Sequence, residues 1–169
     1  MVKKIIWALV FILAAALLQS TILSRLVLYI HAAPDLSLGI LIFTAYVNGT
    51  MTGQLTGFFS GFMLDFLSAA PLGLNALIRT LIGALAGLIK GTFFLDIFFL
   101  PMALCAGATV VKALIYLLLH LLFVKTVPSY TFFNLTFWIE LGMNTLLAPF
   151  LFGFLKLFES LLSGQRENV

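Results

Sequence analysis

The sequence predicts an all-α integral membrane protein with six transmembrane helices. Two observations carry that expectation. Of 169 residues, 63% are hydrophobic and only 9% are Asp, Glu, Lys or Arg, against roughly 45–50% and about 25% in an ordinary soluble domain. The apolar residues also fall in long runs separated by short turn-forming breaks, and one helical span needs about 20 of them. With a mean hydropathy of +1.20, the chain lacks the polar surface to coat a water-soluble globule. That excludes a soluble enzyme, a disordered chain and a nucleic-acid-binding domain. The net charge of +3 needs no acidic partner, because a few lysines at helix ends account for it. The single cysteine, Cys105, cannot form an intrachain disulfide.

The spans are expected at about 5–28, 35–48, 51–67, 73–90, 97–123 and 132–157, in one multi-pass domain. Lys3 and Lys4 before Ile5–Leu18, with Ala14, Ala15 and Ala16 inside the run, resemble a short signal peptide. The apolar run continues past the alanines, however, and is read as a retained first span. Pro34 ends that segment and suits the start of a new helix. Leu36 to Leu67 as one helix would be about 48 Å long, against a hydrocarbon core of about 30 Å. Asn48-Gly49-Thr50 is its only turn-like stretch, so the run is split there. Ser68 to Gly73, with Pro71, forms the next break. The Phe-rich segment Thr92–Leu100 leads through Pro101 into the fifth span. Lys125 to Tyr130 is a loop before the sixth, and Gly164 to Val169 is a polar tail.

Counting cations orients these spans. With both termini in the cytoplasm, the inner ends hold Lys3, Lys4, Lys90, Lys156 and Arg166, and the outer loops hold Arg25 and Lys125. An unsplit 36–67 segment would put more cations outside than inside, against the positive-inside tendency.

Gly49, Gly53, Gly57 and Gly61 recur every four residues, and Gly83 and Gly87 repeat the spacing on the next span. In lipid, helices associate through close backbone contact, which small residues permit. These stripes therefore predict close-packing faces. They either join helices of this chain or receive a helix from another protein.

Four charged residues fall inside predicted spans: Asp65, Arg79, Lys112 and Glu140. Facing lipid at a helix centre, each would cost about 2.5–3.5 kcal/mol. They are expected to turn inward and pair, Arg79 with Asp65 or Glu140 and Lys112 with Glu140. In the six-span arrangement all four lie in the outer half of the bilayer, with Asn75 and Asn144. Two readings stand: a dry ion-pair network that sets helix register, or a polar pocket for a small solute or a proton.

No catalytic constellation is present. There is no phosphate-binding Gly-rich loop ending in Lys-Ser or Lys-Thr. His31 and His120 are three spans apart, and His31 and Asp35 stand across Pro34 in a loop, which does not build a metal pair. Ser60 has no His or Lys placed to activate it. No cofactor is expected.

Several segments carry a family resemblance. Pro34-Asp35-Leu36 opens a short apolar helix. Gly53 and Gly57-Phe58-Phe59-Ser60-Gly61 follow, then Leu64-Asp65-Phe66-Leu67-Ser68. Next come Pro71-Leu72-Gly73-Leu74-Asn75-Ala76-Leu77, with Gly83 and Gly87 behind them; Gln19-Ser20-Thr21 ends the first span. This pattern resembles the rod shape-determining membrane protein family MreD of bacteria. Its specific part is about residues 34–90, with Pro34, Asp35, Asp65, Pro71, Gly73 and Asn75 as the motif positions; the second half matches only as generic apolar spans. Ser68-Ala69-Ala70 lacks a Gly common there, and Arg79 is not a family feature. The resemblance implies a non-enzymatic subunit of the cell-wall elongation machinery in the cytoplasmic membrane. Such a subunit would bind the single-span protein MreC. It would act with the wall glycosyltransferase RodA and its transpeptidase, and indirectly with MreB filaments. It also implies a fold similar to the substrate-binding subunits of energy-coupling-factor transporters, which makes a small-solute-binding transporter subunit the alternative function.

Overall fold

The computed structural model describes residues 2–23, 33–68, 71–91, 98–123, 130, 132 and 134–162. The expectations for residues 24–28, His31, most of the Phe-rich segment, most of the loop before the sixth span and the tail with Arg166 lie outside the described residues.

The described chain is helical. Helix α1 spans Val2–Leu18 and widens into one looser turn over Gln19–Leu23. It is followed by α2 (Leu36–Asn48), α3 (Thr50–Leu67), α4 (Leu74–Leu88), α5 (Phe99–Leu122), α6 (Leu135–Leu157) and the single turn α7 (Glu159–Leu162). Among the described residues, three segments are long and apolar enough to cross a membrane: Val2–Thr21, Phe99–Leu122 and Leu135–Leu157. Helices α2 and α4 are shorter, with 13 and 15 residues, or about 20 and 22 Å.

Local chemistry sets the breaks. Asp35, one residue after Pro34, caps α2 by accepting from the Leu38 N–H at 2.9 Å; the helix thus begins at Leu36 rather than at the proline. Gly49 alone separates α2 from α3, at φ +96° and ψ −179°, a conformation essentially reserved for glycine. The chain reverses there. Arg79 of α4 meets Asp35 at the start of α2, and Lys90 just after α4 donates to the Asn48 carbonyl at its end, so α4 runs alongside α2 in the same direction. Gly61 of α3 lies against Asn75 and Ala76, while Gly87 lies against Thr50, so α3 runs the opposite way.

Helix α2 is the centre of the molecule. Every residue from Ser37 to Tyr46 is buried, and α2 touches α1, α3, α4, α5 and α6. Its Phe43 meets Phe152 of α6 edge-on at 5.2 Å. A helix apolar on all sides suits that position. The outer faces carry exposed Leu and Phe, among them Phe58, Phe62 and Phe66 of α3, as a lipid-facing surface would. Lys3 and Lys4 at the start of α1, Lys90 after α4 and Lys156 at the end of α6 all fall at one end of the bundle. The ion network described next lies toward the other end.

Candidate functional site

The glycine stripes of α3 and α4 close on each other. A Cβ built on Gly57 would stand 2.7 Å from the Arg79 carbonyl carbon, one on Gly61 2.5 Å from the Ala76 Cα, and one on Gly87 2.5 Å from the Thr50 Cα. Gly53 faces Gly83. The partner that fills this seam is the chain itself, so the seam is not open to a helix from another protein. Gly49 belongs to the turn, with the Lys90 side chain beside it.

Asp65 has a different task from the one its charge suggested. Helix α4 begins at Gly73, which is in the left-handed region (φ +93°) and has no side chain to cap the helix. Asp65, buried at the end of α3, does so from a distance. Its Oδ2 accepts from the Gly73 N–H at 2.9 Å and the Ala76 N–H at 3.3 Å. Its Oδ1 accepts from the N–H and the Nδ2 of Asn75, both at 2.9 Å. Negative charge at a helix N-terminus is favourable, and the first N–H groups need acceptors. Pro71 completes the turn by accepting from the Leu74 N–H at 3.1 Å. Asp65 is therefore no partner of Arg79: both its oxygens are spent on α4.

Arg79 pairs instead with Asp35, from Nη2 to Oδ1 at 2.8 Å and to Oδ2 at 3.0 Å. Ser37 sits between them, donating to Asp35 and accepting from Arg79, each at 2.8 Å. Lys112 of α5 donates to Asp35 Oδ2 at 3.3 Å and to Glu140 Oε1 of α6 at 2.6 Å. Tyr130 donates to Glu140 Oε2 at 2.6 Å, and the Lys112 ammonium lies 5.6 Å from the centre of its ring. Burial, reinforced by the Glu140 carboxylate, pushes the Tyr130 phenol above its ordinary range, so it stays protonated and able to donate. Asn144 of α6 accepts from the Asp35 N–H at 2.7 Å and donates to Thr109 of α5 at 3.0 Å. One polar chain thus ties α2, α4, α5 and α6 together, and its two cations and two carboxylates balance. All four charged side chains are nearly buried, at 6% exposed for Arg79, 14% for Asp35, 16% for Lys112 and 8% for Glu140.

Beside this network lies a cavity of about 610 Å³, lined by Gln19 and Ser20 at the end of α1, Leu64 and Leu67 of α3, Asn75 and the four charged residues. Ser60, by contrast, is buried and donates to the Gly57 carbonyl at 3.1 Å, with no base near it among the polar contacts described. The described residues contain no cluster of three or more His, Cys, Asp and Glu side chains able to hold a metal.

Sequence reasoning placed Arg79, Lys112 and Glu140 in one cluster but missed Asp35 and Tyr130 as members. Asp35 stands at the mouth of a span, where a carboxylate counts as a solvated helix cap. The available signal was Arg79 itself, a cation with no carboxylate left for it once Asp65 caps α4.

No curated protein and no solved structure matches the chain. The family model for the rod shape-determining protein MreD, however, matches residues 1–158 of the 169. With the helical bundle, the capped turn at 65–76 and the apolar outer surface, that match of nearly the whole length is decisive: the chain belongs to the MreD family of cell-shape-determining membrane proteins.

Proposed function

We propose that this protein is a non-enzymatic scaffold of the bacterial cytoplasmic membrane that docks the single span of MreC. Through MreC it would stand with RodA, its transpeptidase and, indirectly, MreB filaments in peptidoglycan synthesis during wall elongation. The reading includes six spans, with α2 and α4 crossing as short helices packed in the bundle, and both termini in the cytoplasm. Lys3, Lys4, Lys90 and Lys156 at one end of the bundle support that orientation. A fold similar to the substrate-binding subunits of energy-coupling-factor transporters belongs to the same proposal.

One observation carries the docking. Helices α4 and α5 meet along only a short stretch and leave between them an apolar cleft of about 180 Å³. Ile82, Leu85 and Ala86 of α4 face Ala103, Gly107 and Ala108 of α5 across it. The α3–α4 seam is filled from within, but a Cβ on Gly107 would meet nothing within 4 Å among the described residues. Ala103 and Gly107 are exposed, with no described helix over them, and small residues of that kind are what a single-span partner needs for close approach.

Co-expression with MreC and purification from detergent tests this. Gly107→Leu and Ala103→Leu should abolish recovery of MreC while leaving the melting of the purified protein near that of the parent, since the Gly107 site is open. Undiminished recovery of MreC with both variants would remove the cleft as the docking face.

A further inference from the structure

We propose that the cavity beside the ion network receives a singly charged oxyanion, supplied either by the phosphodiester of a lipid head group or by a small soluble phosphate. This goes beyond the docking reading, and the residues of the two sites do not overlap.

The inference comes from what the network leaves unused. Each of its carboxylate oxygens already accepts at least one bond. Asp35 takes bonds from Ser37, Leu38, Arg79 and Lys112, and Glu140 takes bonds from Lys112 and Tyr130. Its two cations keep N–H groups that no bond uses among the described residues. Arg79 lines the cavity, is 5% exposed, and its Nη1 is buried with no hydrogen-bond partner among the described residues. A buried donor left unpaired is costly and calls for an explanation. Lys112 carries three N–H groups and meets two acceptors among the described residues.

Nη1 itself has almost no exposed surface, so the guanidinium has to shift to present it. A ligand that takes it up, together with the third Lys112 N–H, brings acceptors, because every carboxylate oxygen of the network already accepts a bond. A guanidinium edge matches two oxygens of a phosphate or carboxylate. Because the two cations are already balanced by Asp35 and Glu140, a single added negative charge fits better than a multiply charged group. The volume, about 610 Å³, lies within the range of small-molecule sites, about 300–1,000 Å³. Leu64 and Leu67 line the same space, which gives an acyl chain an apolar wall to follow.

The test uses the full chain in nanodiscs of a galactolipid, which has no phosphate. Thermal melting is compared with and without inorganic phosphate at matched ionic strength, and again with phosphatidylglycerol replacing the galactolipid. A ligand bound only by the folded state raises the midpoint. A rise of several degrees with inorganic phosphate supports the site and assigns a soluble ligand; a rise only with phosphatidylglycerol supports it and assigns the lipid. In both cases Arg79→Lys and Leu67→Trp should abolish the rise, the first by removing the fork and the second by filling the mouth from an exposed position. If Arg79→Lys does not fold, Leu67→Trp decides alone. No rise with either addition, or an equal rise in the parent and Leu67→Trp, overturns the proposal. MreC recovery is not among these readouts, so the site and the docking cleft fail independently.

Discussion

Gly53 of α3 and Gly83 of α4 meet backbone to backbone. A Cβ on Gly83 would lie 2.7 Å from the Gly53 carbonyl carbon, and one on Gly53 would lie 2.9 Å from that of Gly83. Neither obstacle is a side chain that can rotate away. Gly83→Ala should therefore force α3 and α4 apart and destabilise the fold toward the upper end of the usual overpacking cost of about 1–3 kcal/mol. Gly142→Ala on α6 is the control. It has open space around its Cβ position among the described residues, and losing a helical glycine gains about 0.5–1 kcal/mol. Denaturant unfolding in detergent should show opposite signs for the two changes. Equal midpoints would mean the seam is looser than the geometry implies.

Asp65 holds the start of α4 by four hydrogen bonds to the 73–76 segment. Asp65→Ala strands buried N–H groups at an otherwise uncapped terminus and should cost about 1–3 kcal/mol. Asp65→Asn keeps one good acceptor and should recover part of that loss. Hydrogen exchange at Leu74 to Leu77 reads the effect locally. Unchanged protection there in Asp65→Ala would show that another group caps the helix.

Much of this was legible in the sequence, and the residues show why the rest was not. The break at Gly49 was readable because a lone turn-former inside an overlong apolar run has one plausible role. The four-residue glycine spacing announced close packing but not the partner, since Gly53 looks the same whether Gly83 or another protein fills its face. Charge type misled at Asp65: a carboxylate that caps a helix and one that faces a cation are the same letter. The nearer clue was Gly73, a helix start with no side-chain oxygen of its own. Asp35 was recognised as a motif position, but its pairing with Arg79 spans 44 residues and follows only from α4 lying alongside α2.

The lysine distribution implies a direction of insertion that labelling can check. In a Cys105→Ala background, Leu72→Cys sits at the exposed turn between α3 and α4, and Lys90→Cys sits exposed at the far end of α4. With cytoplasmic termini, an impermeant maleimide should label Leu72→Cys in intact spheroplasts and Lys90→Cys only after permeabilisation. The reverse pattern would invert the bundle and place the cavity on the cytoplasmic side.

Lys112 and Glu140 give the sharpest test of what the ion network does for the fold. They meet at 2.6 Å with side chains 16% and 8% exposed, so removing either leaves its partner charged and nearly buried. Lys112→Leu, which takes away the cation paired with Glu140, should cost about 3–5 kcal/mol, the usual penalty for breaking a buried pair. Glu140→Leu should cost less, because Lys112 keeps Asp35 at 3.3 Å. The double variant removes one positive and one negative charge together and leaves Arg79 with Asp35 as a balanced pair. Replacing a buried ion pair by apolar groups is often neutral or stabilising, so the double variant should be markedly more stable than the sum of the singles implies. Tyr130 loses its acceptor in both Glu140 variants, and that loss is common to the single and the double, so it cancels in the cycle. A coupling energy near zero would mean that water, not Lys112, neutralises Glu140, and that the network is open rather than dry at this point.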